Sequence, residues 1–161
     1  MNRFWGSAVA TWGLAGVIAV LGFAIYRLTD VTLDAFNHPF AWHHWLLLLA
    51  NIVFMAYTEG YRGFQLSYSP KVVDRARNLA EATPRLSSIL LAPLYCMHYF
   101  DTTRRQLIST YVLTVMIVLL IIVFHQLSQP WRGILDAGVI VGLSWGVISI
   151  LLLAMKNRRS S

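Results

Sequence analysis

Residues 107–128 read LISTYVLTVMIVLLIIVFHQLS, an uninterrupted run without Asp, Glu, Lys or Arg. At about 1.5 Å per residue, a helix of this length reaches roughly 33 Å and covers the hydrocarbon core of a bilayer. A core helix of a soluble protein shows a polar face and has no need of such a run. Working outward, three more stretches share the pattern: Phe4–Tyr26, about Phe40–Glu59, and Ile134–Met155, whose single charge is Asp136 near its start. The second is the least apolar and needs neutral His43 and His44 at one end to reach spanning length.

Across the 161 residues, 57% are hydrophobic and 12% charged. Ordinary soluble domains carry about a quarter charged residues. A soluble globule, a disordered tail and a collagen-like fibre are therefore set aside. The Phe4–Tyr26 run exceeds the apolar core of an export signal, about 7–15 residues, and no small-x-small cleavage site follows it. It is expected to be a retained helix. The sequence predicts an all-α fold: one domain, residues 1–161, built as a four-helix membrane bundle.

Charge distribution supplies the orientation. Of the 13 basic residues, eleven fall on alternate segments: Arg3; then Arg62, Lys71, Arg75, Arg77, Arg85, Arg104 and Arg105; then Lys156, Arg158 and Arg159. The intervening segments hold Arg27 and Arg132 alone. Basic residues concentrate on the cytoplasmic side, so both termini and residues 60–106 are expected there. The expected location is a multi-pass protein of a bacterial-type inner (plasma) membrane. Trp5, Trp42, Trp45 and Trp131 stand at span ends, where aromatic belts form. The net charge of +6 then reflects topology and anionic headgroups, with no nucleic acid as partner.

Residues 60–106 are too many for a plain helix connection. Ser69-Pro70 reads as an N-cap and first helical position. Beyond it, Val72, Val73, Ala76, Leu79 and Ala80 share one face, with Lys71, Asp74, Arg75, Asn78 and Glu81 largely opposite. This predicts an amphipathic helix ending near Thr83-Pro84 and lying at the headgroups, the alternative being a helix that docks a partner. Leu86–Phe100 is uncharged but short, and Pro93 interrupts it, so it is expected to be interfacial, re-entrant or packed under the bundle.

Several groups are candidates for a site. His44, Asn51 and Thr58 recur every seven residues, close to two helical turns, and Glu59 and Arg62 extend the stripe. The favoured role for Asn51 is interhelical glue, and the alternative is a polar path. Arg62 lies at i+3 from Glu59, a spacing suited to an ion pair at the interface, the alternative being a proton-handling or substrate-binding carboxylate. His38, His43, His44 and His125 share the outer side, with Asp30 and Asp34 in the outer loop and Thr110 and Thr114 expected on the face of His125. Imidazoles and carboxylates suit transition metals, and paired imidazoles suit haem. Spacing does not support that alternative, since adjacent His43 and His44 point to different sides of a helix. No cofactor is predicted. His98 and the lone Cys96 lie on the other side.

Gly138, Gly142 and Gly146 leave one strip of the last span without side chains, which admits another backbone, from this chain or a second copy. Gly6, Ala10 and Gly13 form a similar strip in the first. The sequence has no Gly-x-Ser-x-Gly, P-loop, dinucleotide fingerprint or His-Glu-x-x-His, so familiar nucleophilic, phosphoryl-transfer and hydride-transfer chemistry is unsupported. The expected function is non-catalytic. It is that of an accessory, assembly or scaffold subunit whose partners are the lipid bilayer and other membrane subunits or itself. The runner-up is an enzyme or transporter of a small apolar molecule using the polar stripe. A metal- or haem-binding membrane protein is third.

Overall fold

The computed structural model describes residues 2–81, 89–97, 99 and 104–159. Among these residues the chain is helical, with no strand. The elements are α1 (Asn2–Ala35), α2 (Trp42–Met55), a π-helical segment (Ala56–Tyr68), α3 (Ser69–Glu81), α4 (Ala92–Cys96), α5 (Arg104–His125) and α6 (Trp131–Arg159). Two helical stretches, Gly6–Ala35 and Trp131–Lys156, are long and apolar enough to cross a membrane, their most apolar 18-residue windows having mean hydropathies of 2.1 and 2.3. Only 22% and 28% of their most apolar windows are buried inside the molecule. A soluble protein hides such residues in its core, whereas here fewer than a third are buried.

α1 continues beyond the expected Phe4–Tyr26 span through Arg27, Asp30 and Asp34. Its end is tied down by Gln129, whose amide donates to the Val31 carbonyl at 3.1 Å and to Asp34 Oδ2 at 3.2 Å. The same side chain caps α6, because Gln129 Oε1 accepts from the Gly133 amide at 3.2 Å. One residue thus joins the last turn of α1 to the first turn of α6.

The expected start of a new helix at Ser69-Pro70 does not occur. The chain is helical without a break from Trp42 to Glu81, widening to the π form over Ala56–Tyr68. The Ser69 amide closes the wide turns by bonding to the Phe64 carbonyl, five residues back. Pro70 has no amide to offer, so it falls where the hydrogen-bond register changes and costs the ladder little. Ser69 is no N-cap: its hydroxyl is fully buried and finds no hydrogen-bond partner among the described residues.

α3 has the predicted amphipathic face but uses it differently. Val72, Val73 and Ala76 are buried with Val17 of α1, Cys96 of α4 and Ile150 of α6. Leu79 packs with Val9 and Ala92. The apolar stripe that was expected to rest on headgroups is a bundle face, leaving Lys71, Asp74, Arg77, Asn78 and Glu81 exposed. Within Leu86–Phe100, α4 is packed on the N-terminal half of α1, with Pro93 in its first turn where it breaks nothing. Gly13 and Gly16 make this seat: a Cβ at Gly13 would come 2.8 Å from Cys96 Sγ, and one at Gly16 would strike Pro93. Burial pushes the Cys96 thiol up to about 11, the Arg75 guanidinium acting against it. The thiol therefore stays neutral and inert. Thr83, Pro84 and His98 lie outside the described residues, as do the Trp5 and Ala80 side chains.

α5 stands apart. Ile117 to Val123 are seven consecutive apolar residues, each between 46% and 57% exposed. Seven residues turn through nearly two full circles, so no side of this stretch is covered. Its ties include a Tyr99 to Thr114 hydroxyl hydrogen bond of 2.8 Å, an edge-on contact of the Tyr99 and Tyr111 rings at 6.0 Å, and His125, near Arg132 of α6.

Candidate functional site

The polar stripe and the glycine strip meet. A Cβ at Gly138 would collide with the Asn51 amide and approach Met55 Cγ at 2.8 Å. At Gly142 it would lie 3.0 Å from both Cβ and Oε2 of Glu59, and at Gly146 it would meet the Phe64 ring. Three glycines spaced by four therefore seat α2 and the π segment against α6 within one chain. The strip is occupied along its length, leaving no bare backbone for a second copy.

Asn51 is bonded as interhelical glue. Its Nδ2 donates to the Ile134 carbonyl at 2.7 Å, with the Leu135 carbonyl at 3.4 Å. His44 belongs to the end of the stripe. Its Nδ1 accepts from the Ala41 amide at 3.0 Å, closing the first turn of α2. Its ring meets Trp131 edge-on at 5.0 Å. The Thr58 hydroxyl donates back to the Phe54 carbonyl at 2.8 Å, the usual resting place for threonine inside a helix.

The expected Glu59–Arg62 pair is not formed. Ion pairs among the described residues are Arg77–Glu81 and Arg132–Asp136. The reason is the helix itself: Glu59 and Arg62 lie in the π segment, whose bonds run five residues apart, so i+3 no longer shares a face. Arg62 is exposed, while Glu59 is half-buried against Gly142, with no hydrogen-bond or ion-pair partner among the described residues. Just beyond it, Trp145 covers Gly60 and donates from Nε1 to Gln65 Oε1 at 2.8 Å.

The four outer histidines do not converge. His38 Nδ1 lies 3.2 Å from the Asp34 carbonyl. The His43 and His44 rings are 4.1 Å apart and lean on Trp131. His125 contacts Arg132 instead, at 3.3 Å from Nε2. No three His, Cys, Asp or Glu side chains among the described residues gather as a metal site. Thr114 bonds to Tyr99 rather than joining His125, and the Thr110 side chain is not among those described.

Sequence reading passed over the pair at the start of α6. Asp136 is 4% exposed, with Arg132 Nε 3.8 Å from its Oδ2. The i, i+4 spacing was the available signal. A shallow, apolar groove of about 430 Å³ opens between α2 and the start of α6, walled by Leu47, Ala50, Phe54, Trp131 and Leu135, with Asn51 in its lining. Compared with known protein families, characterised proteins and solved structures, the chain matches none.

Proposed function

We propose that this chain is a small integral membrane subunit that acts without catalysis, by holding another membrane protein through α5. In this reading the bilayer is crossed four times: by α1, by about residues 40–59 (α2 and the first turn of the π segment), by α5 and by α6. Both termini lie in the cytoplasm, in a plasma membrane of bacterial type. The observation that carries the proposal is the contrast between two apolar helices. α6 is fitted to its neighbours by glycines, an amide bond and an indole bond, whereas α5 shows bare Val, Leu and Ile on every side. A helix with so little intrachain packing is available to a partner helix at no cost to the bundle. The runner-up, handling of a small apolar molecule, draws on the groove beside Asn51.

Purification from native membranes in mild detergent tests this. A companion is expected at near-constant stoichiometry, joined to α5 by a photo-crosslinker at Leu119 or Ile122. Leu119→Trp is expected to release it while the thermal stability of the chain itself is unchanged. A chain that purifies without a companion, and whose α5 crosslinks to lipid alone, contradicts the proposal.

A further inference from the structure

The π segment places one ionisable group where the surrounding helices offer it nothing. Glu59 faces Gly142, near the middle of the Trp131–Lys156 stretch of α6. The elements packed on the π segment are α6, α3 and α2. Between Asp136 and Lys156, α6 has no charged residue, and α2 has only neutral-capable His43 and His44, four helical turns away. The charges of α3 (Lys71, Asp74, Arg75, Arg77 and Glu81) begin twelve residues further along the chain. On its own element Arg62 is exposed and unpaired with it. No hydrogen-bond donor among the described residues reaches the carboxyl group.

A carboxylate in apolar surroundings needs a cation, a set of donors or a proton. The surroundings decide among these. Glu59 Oε2 stands 3.0 Å from the place a Cβ at Gly142 would take, so the carboxyl lies close against the α6 backbone. No second or third ligand among the described residues stands near to hold a cation beside it. We propose that Glu59 is a proton-binding site of the bundle: its protonated carboxyl packs on Gly142, and loss of the proton weakens that contact between the π segment and α6. The glycine matters because a Cβ at 142 would stand only 3.0 Å from Oε2 and from Cβ of Glu59, and would press the carboxyl away from α6. The inference concerns the chain alone and does not rest on the accessory role.

Dicyclohexylcarbodiimide, an apolar reagent that enters membranes, tests it on the purified chain in phospholipid vesicles. A protonated carboxyl adds across one of its C=N bonds. The acid proton goes to nitrogen, the carboxyl oxygen bonds the central carbon, and no group leaves. The O-acylisourea then moves its acyl group to nitrogen as a stable N-acylurea, which peptide mass spectrometry locates. An adduct is expected on Glu59, falling at least about fivefold as the pH is raised, a change that one carboxyl makes within about one pH unit above its midpoint. Glu59→Gln is expected to carry none there. Absence of an adduct on Glu59 at every pH, or a yield indifferent to pH, overturns the proposal.

Discussion

Gly138→Leu is expected to cost about 3 kcal/mol of bundle stability and to lower the thermal midpoint in detergent clearly. The added side chain meets the Asn51 amide and the Met55 thioether stem at once. Forcing atoms into a packed contact costs about 1–3 kcal/mol, and separating the helices also breaks the Asn51 bond to Ile134, worth about 1 kcal/mol. Gly142→Leu should cost less, because a Cβ there comes no nearer than 3.0 Å to any atom of Glu59. Gly22→Leu supplies the control. No atom lies within 4 Å of a Cβ there, and replacing glycine in a helix improves its propensity. Its midpoint should hold or rise. If Gly138→Leu and Gly22→Leu behave alike, the strip does not carry the packing.

The second large effect lies at the other side of the same helix end. Arg132→Met should destabilise by about 3 kcal/mol, since removing one member of a buried pair leaves the other charge without compensation. Asp136 is almost wholly buried, and Arg132 is its ion-pair partner. The change also removes the contact that His125 makes with α6, so the His125 end of α5 should become the first site of protease cleavage. Arg132→Met combined with Asp136→Leu should recover most of the loss, because an apolar pair of similar volume carries no desolvation cost. A single variant as stable as the parent would show that Asp136 needs no cation.

What composition and periodicity encode was legible in the sequence. Uncharged runs mark α1 and α6 because a helix exposed to hydrocarbon tolerates few charges. The apolar face of α3 is plain in Val72, Val73, Ala76 and Leu79. Which surface that face would meet was not plain, because periodicity states that a stripe is buried and not by what. The same limit applies to Gly138, Gly142 and Gly146: bare backbone invites a neighbour without naming it. Asn51 was legible as glue because an amide inside an apolar run needs a partner, and the Ile134 carbonyl supplies it. The π segment was not legible. Gly60 and Gly63 weaken the α preference locally, but no spacing rule announces a change of hydrogen-bond register, and that change dissolved the Glu59–Arg62 pair. The end of α1 was misplaced for a simpler reason. A helix need not stop where its apolar run stops when Gln129 holds its last turn.

Four crossings, with both termini and residues 60–106 on one side, underlie the proposed role. Compartment-sensitive reporters placed at Asp34, Asn78, Gln129 and the C-terminus test this topology most directly. The expected signals are outside, inside, outside and inside, following the basic residues of alternate segments. An outside signal at Asn78, on the exposed face of α3, would contradict it.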